Sequence, residues 1–185
     1  MSQATLTLKQ RACKIKLLSL DVDGVFTDGR LYFSAQGEDI KCFNILDGLG
    51  IKLLQASGVE VAIISGRQSA PLELRAKALG IQHFYPGRED KLNALSELLA
   101  KTGLSAEQVA HLGDDLPDLP IMLNVGLGMA VANAYNLVKE KAHWQSKSNG
   151  GEGAVREACD FIMQAQGTLT AAHQAYLTQS LPGNS

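Results

Sequence analysis

The chain has 185 residues, 45% of them hydrophobic, which is one domain's length with enough apolar side chains for a substantial core. Its formal net charge of −2 provides no strong field of either sign, so nothing in the composition points to nucleic acid or to a membrane surface as a partner. Three widely separated cysteines, Cys13, Cys42 and Cys159, argue against a disulfide framework and for a reducing compartment, and they share no zinc-ligand spacing with the four histidines.

The first 16 residues place their basic side chains after a weak Leu6/Leu8 pattern and lack the apolar block of a signal peptide. No apolar run approaches the roughly 20 residues that span a bilayer, and the expected location is the cytoplasm. Residues 17–20, Leu-Leu-Ser-Leu, are an apolar run without polar alternation, which suits a strand buried on both faces. The run stops at Asp21-Val22-Asp23-Gly24, so the two carboxylates belong where the strand emerges. Residues 30–33 and 40–43 are β-prone and flank a polar, Gly-containing turn, which predicts a hairpin inserted between the first strand and the first helix.

Residues 47–57 show a helical face ending at Gly58, and residues 59–64 form a second buried strand that stops at Ser65-Gly66-Arg67. A helix over 69–79 closed by Gly80 leads into a third strand over 81–85, broken by Pro86-Gly87. Lys91 opens a long helix that ends at Gly103, and Ser105 to Gln108 reads as a capped turn. A fourth strand over 109–112 stops at Gly113-Asp114-Asp115. A helix over 119–124, a Gly-rich fifth strand over 126–131, a helix capped by Asn133 and running to Lys139, and an edge strand over 142–144 follow. Residues 154–165 are amphipathic with Val155, Ala158, Phe161 and Ile162 inward, and 167–185 read as a polar tail, flexible or docked on a neighbour. Strands alternating with helices predict an α/β fold with a doubly wound parallel sheet, a single domain over 1–166 with the insertion at about 30–43.

In a parallel sheet, ligands gather at the carboxyl ends of the strands. The first strand delivers Asp21 and Asp23 there, the second Ser65 and Arg67, the fourth Asp114 and Asp115, and Lys91 opens the helix before the fourth. Carboxylates suit Mg²⁺, a hard cation with oxygen ligands. A serine hydroxyl, backbone N–H groups and a lysine suit phosphate oxygens. Together they describe phosphoryl transfer to an aspartate, which divides a barrier of which an enzyme must remove ~20 kcal/mol or more.

These four stretches, Asp21 to Gly29, Ser65-Gly66-Arg67, Lys91 and Gly113 to Asp118, resemble the motifs of the haloacid dehalogenase-like phosphatases. The hairpin, Asn44-Ile45-Leu46-Asp47-Gly48, Gly87 to Lys91 and Gly150 to Glu157 narrow the resemblance to the capless, tetrameric branch that acts on 3-deoxy-D-manno-octulosonate 8-phosphate, covering about residues 17–166. The resemblance implies Asp21 as nucleophile and Mg²⁺ ligand, and Asp23 as general acid/base with its backbone carbonyl on the metal. It implies Ser65, Gly66 and Lys91 at the phosphoryl group, Asp114 as a further metal ligand, and Asp115 orienting the metal shell or Lys91. Asn44, Asp47, Gly48, Arg67 and Arg75 match positions near the substrate, a small sugar-acid phosphate. The implied assembly is a homotetramer.

Leu46 and Glu152 stand where relatives carry positive charge, and that leaves Arg67 and Arg75 as the basic contacts expected for a sugar-acid carboxylate. A phosphatase for another acidic sugar, such as a sialic acid 9-phosphate, is the neighbouring reading. A receiver-like phospho-aspartate signalling module is the reading from a different class, but it would need its acceptor on the third strand, where His83-Phe84-Tyr85 ends in Pro86-Gly87.

Overall fold

The computed structural model describes residues 6–178. A short helix α1 (Leu8–Cys13) leads into β1 (Leu17–Leu20), whose four residues are all buried. The hairpin is β2 (Tyr32–Ser34) and β3 (Gly37–Ile40), and the chain continues through α2 (Ile45–Ala56), β4 (Glu60–Ile64), α3 (Ala70–Leu79), β5 (His83–Tyr85) and α4 (Lys91–Thr102). Then come β6 (Val109–Gly113), α5 (Leu119–Met122), β7 (Leu127–Ala130), α6 (Asn136–Lys141), β8 (Trp144–Gln145), α7 (Ala154–Gln166) and α8 (Leu169–Leu177).

The main sheet has the order β5-β4-β1-β6-β7-β8, with every pairing parallel. Its middle is β1, which accounts for the lack of polar alternation in that strand. The alternate residues Leu18 and Leu20 face a large core shared with α1, α2, α3 and α7. Leu17 faces a smaller core built with Ala94, Leu95 and Leu98 of α4. Burying one leucine of this kind is worth about 1.5–3 kcal/mol relative to leaving it exposed. At the edge, Trp144 stacks on Phe161 of α7 with ring centroids 5.4 Å apart.

All six strands expected in the main sheet are present, with ends shifted by one or two residues. Several local expectations are corrected. The hairpin turns at Ala35-Gln36, so residues 37–39, expected in the loop, lie in β3, while 41–43 lie outside it. Asn133 caps no helix: its side chain accepts from the Gly150 N–H at 2.9 Å, and α6 begins three residues later. The segment read as a polar tail contains α8, with Leu169 and Ala172 packed on the large core; residues 179–185 of that reading lie outside the described residues.

Two residues that the resemblance places near the substrate hold α2 against the loop before α7. Asn44 caps α2, its side-chain oxygen accepting from the Leu46 N–H at 2.9 Å and its amide donating to the Gly151 carbonyl at 3.3 Å. Asp47, fully buried, accepts from the Arg156 N–H at 2.8 Å, in the first turn of α7. Burial pushes its carboxyl up to about 6 against those backbone bonds. Asp47→Ala is expected to lower unfolding stability in denaturant by about 1–2 kcal/mol, the usual loss of a helix cap. Asp47→Asn, which keeps an acceptor and removes a buried charge, should lose less; equal losses would refute the capping role.

Candidate active site

The carboxyl ends of β1, β4 and β6 enclose a cleft of about 430 Å³ lined by Asp21, Asp23, Ser65, Gly66, Arg67, Glu89, Lys91, Asp114, Asp115, Pro117 and Asp118. A larger hollow of about 610 Å³ lies around Gly58, Gly80 and the Glu60–His83 pair, at the other end of β4, and gathers no comparable set of groups.

After β1 the backbone folds into a compact turn in which Val25, Phe26 and Thr27 all donate N–H groups to the Val22 carbonyl. Gly24 lies in this turn at φ +98°, and a Cβ there would sit 2.2 Å from Oδ2 of Asp114. The glycine thus lets the β6 carboxylate approach the β1 loop. Gly113 has a similar use, since a Cβ there would lie 2.4 Å from Cβ of Asp118.

Lys91 occupies the centre. Its Nζ donates to Oδ1 of Asp21 at 2.6 Å and to Oδ1 of Asp118 at 2.7 Å, with all three side chains at least nine-tenths buried. Burial alone would lower the lysine's pKa, but the two carboxylates outweigh it and raise the value, so the ammonium is retained. Asp118 is held well below the usual carboxylate range: burial opposes ionisation, but bonds from His111 and Lys91 overcome it. Asp21 is pushed up to about 6 by burial and by the charge of Asp118, against the pull of Lys91. Asp114 rises further, to about 8, through burial and then the charges of Asp21, Asp118 and Asp115.

Those shifts describe a cluster short of positive charge. Oxygens of Asp21, Asp114 and Asp118 lie within 4.8 Å of one another. Three ionised carboxylates against one ammonium leave a deficit that a divalent cation would neutralise, and an all-oxygen donor set suits Mg²⁺. Asp118 is the poorest ligand of the three. Its Oδ1 already meets Lys91 and His111, and its Oδ2 accepts the backbone N–H groups of Asp114 (3.0 Å) and Asp115 (3.3 Å). All four acceptor positions of that carboxylate are taken. Asp21 and Asp114 are the carboxylates left to face a cation.

Ser65 is buried at the end of β4, its hydroxyl accepting from the Arg67 N–H at 3.3 Å. Asp23 forms a short ion pair with Lys41 and faces Nε of Arg67 at 3.9 Å. The Arg67 guanidinium also lies 5.9 Å from the Phe33 ring centroid, which links the hairpin to the cleft.

The structure therefore brings Asp21, Asp23, Ser65, Gly66, Arg67, Lys91 and Asp114 together, as the sequence suggested. It does not place Asn44, Asp47, Gly48 or Arg75 among the residues lining the cleft. Arg75 packs against one side of the Phe26–Phe43 pair, 6.0 and 5.9 Å from their centroids, and its Nη2 comes so close to α2 that a Cβ on Gly48 would sit 2.2 Å from it. Asp115 lines the cleft, and the alternative in which it orients Lys91 falls to Asp118 instead. Asp115 caps the one-turn 3₁₀ helix Leu116–Asp118 by accepting from the Leu116 N–H at 2.8 Å, and Asp118 is the residue that holds Lys91. Sequence reasoning missed Lys41, Asp118 and His111. Lys41 left no signal in the sequence: β3 ends at Ile40, so strand alternation does not set its direction.

A family model for haloacid dehalogenase-like hydrolases matches residues 79–158. A 3-deoxy-D-manno-octulosonate 8-phosphate phosphatase of Yersinia pestis is 53% identical over 163 residues, covering 88% of this chain and 87% of that protein. Among solved structures, a probable phosphatase of the YrbI family from Pseudomonas syringae aligns at TM-score 0.92 with 61% identity, covering 94% of this chain and 98% of that one. A 3-deoxy-D-manno-octulosonate 8-phosphate phosphatase from Moraxella catarrhalis, solved with magnesium, phosphate and KDO, aligns at TM-score 0.88 with 40% identity, covering 91% and 97%.

Because Asp21 and Asp114 are raised above 3.8 in the fold, the metal-free folded state binds more protons than the unfolded chain between about pH 4 and pH 8. Their contribution to stability must fall as pH rises through that window. A cation competes with those same protons. The rise in melting temperature on adding Mg²⁺ is therefore expected to be larger at pH 8 than at pH 5.5, measured by scanning calorimetry. An equal rise at both values would show that these carboxylates do not hold the ion.

Proposed function

We infer, because the chain belongs to the 3-deoxy-D-manno-octulosonate 8-phosphate phosphatases of the haloacid dehalogenase-like hydrolases, that it hydrolyses this sugar-acid phosphate to KDO and phosphate with Mg²⁺ as cofactor. The observation that carries the reading at the site is Lys91 bridging Asp21 and Asp118 beside Asp114 in one cleft. Asp21 attacks phosphorus and becomes an aspartyl phosphate as the sugar-acid alkoxide departs. Asp23, two residues along the same loop, gives that alkoxide its proton and then takes one from the water that releases phosphate. Ser65, the backbone around Gly66 and the Lys91 ammonium hold the phosphoryl oxygens. Asp21, Asp114 and the Asp23 backbone carbonyl would hold Mg²⁺, which when bound would supply positive charge to the phosphoryl oxygens.

With Arg75 outside the cleft lining and donating to the Asn44 carbonyl at 3.4 Å, Leu46 uncharged and Glu152 accepting from Asn149 at 3.1 Å, Arg67 is the arginine at the cleft suited to the sugar-acid carboxylate. Specificity constants for 3-deoxy-D-manno-octulosonate 8-phosphate and a sialic acid 9-phosphate test the substrate directly. The first should be clearly preferred, and the opposite order would overturn the assignment. Arg67→Gln should lower the constant for the preferred substrate by about 10–100-fold, the range expected for one charge-assisted bond. An aryl phosphate, which has no carboxylate to lose, should change by less than about threefold.

The assembly proposed is a homotetramer, in a cytoplasmic setting suited to three free cysteines. Among the described residues no helix is long and apolar enough to cross a membrane. The hairpin leaves Phe33 66% and Ile40 60% exposed, Ile45 and Leu46 at the start of α2 are exposed as well, and a two-stranded hairpin is marginal alone in water. Packing of hairpins from several chains would bury this patch and roof the cleft beside Arg67. Sedimentation is expected to give a particle of about four chain masses, and Phe33→Asp with Ile40→Asp should split it and lower turnover of the sugar-acid phosphate. A fully active monomer would contradict this arrangement.

A further inference from the structure

The face of the sheet covered by α4 is apolar from Leu17, Val109, Ala62 and Ile64, yet it contains two buried polar side chains. Ser19 of β1 and His111 of β6 are partners in the parallel register, so they stand side by side on that face. Both are fully buried, and both ring nitrogens of His111 are engaged. Nδ1 lies 3.0 Å from the Ser19 hydroxyl and Nε2 lies 3.2 Å from Oδ1 of Asp118. A neutral ring with its proton on Nε2 satisfies both contacts: the ring donates to the Asp118 carboxylate and accepts from the serine hydroxyl. A buried polar pair of this kind must be bonded or it costs free energy, and apolar residues there would continue the core without any such requirement.

We propose that His111, oriented by Ser19, is a positioning residue for the reaction, acting through Asp118 on Lys91. The proposal rests on the reading of Lys91 as a phosphoryl-binding residue. The two backbone N–H groups fix Oδ2 of Asp118, and the His111 N–H fixes Oδ1. With all four acceptor positions filled, the carboxylate can neither rotate nor draw the ammonium wholly to itself. Lys91 is thus left shared between Asp118 and Asp21, pointing at the position where phosphoryl charge develops. Without the ring donor, Oδ1 would have only Lys91 to satisfy it, and the ammonium would shift toward Asp118 and away from the cleft. Because Lys91 acts mainly as charge builds on the phosphoryl group, the loss should appear in kcat more than in KM.

The test is steady-state kinetics of the Mg²⁺-loaded enzyme on 3-deoxy-D-manno-octulosonate 8-phosphate, with thermal unfolding to confirm that each variant is folded. His111→Leu is expected to lower kcat by about tenfold or more with KM within about threefold of the parent. His111→Gln, whose amide N–H can reach the place of Nε2, should recover kcat to within about threefold of the parent. Parent-like kcat in His111→Leu would overturn the proposal, as would an equal loss in Leu and Gln variants, since a merely structural role predicts no recovery by the donor. Should His111→Leu fail to fold, Ser19→Ala decides: a reduced kcat supports the proposal and an unchanged kcat overturns it. Lys91→Met separates the two levels of the argument. An inactive Lys91→Met with an unaffected His111→Leu removes this inference alone, whereas an active Lys91→Met removes the reading of Lys91 and the inference with it.

Discussion

Everything in this molecule depends on gathering negative charge around one buried ammonium. Asp21, Asp114 and Asp118 come from two strand ends and a one-turn helix, and Lys91 is the first residue of α4. In water such a cluster would disperse. Here the parallel sheet fixes the strand ends, two glycines let the loops approach within contact distance, and the core on both faces provides the free energy that holds them. The raised carboxyls of Asp21 and Asp114 are the visible cost of that arrangement. That cost is also the reason the site favours a divalent cation and a phosphoryl group together.

The polar groups around the cluster divide into those that face the cleft and those that hold other groups in place. Asp118 belongs to the second kind because its oxygens are fully engaged. Asn44 and Asp47 act similarly at greater distance, tying α2 to the loop around Gly151 and to α7. That loop in turn lies on the backbone of the β1 turn, where the Gly151 N–H donates to the Val25 carbonyl at 3.0 Å. A residue can therefore matter to the reaction without lining the cleft, by fixing the loop that carries Asp21 and Asp23.

How much was legible in the sequence follows from which interactions are local. The strands were readable because Leu17 to Leu20 and Val61 to Ile64 are buried on both faces and contain almost no polar residue to blur the pattern. Asp21, Asp23, Ser65, Lys91 and Asp114 were readable because strand ends and a helix start place them without further information. Asp115 and Asp118 were not distinguishable by spacing, since the 3₁₀ turn between them decides which carboxylate swings under Lys91. Asn133 has the composition of a cap, but its partner is Gly150, 17 residues away. Arg75 has the composition of a substrate contact, yet the aromatic pair it packs against comes from residues 26 and 43. The α8 segment has only half-buried contacts with the core, too weak a pattern to separate from a polar tail.

The central claim is that Asp21 itself carries the phosphoryl group during turnover. Quenching the enzyme in the steady state and reducing with borohydride converts an aspartyl phosphate to homoserine, which peptide mass spectrometry can place on the chain. The account predicts homoserine at position 21, dependent on both Mg²⁺ and substrate. Homoserine at any other aspartate, or none at a quench time when phosphate release shows the enzyme turning over with chemistry before a slow second step, would contradict it.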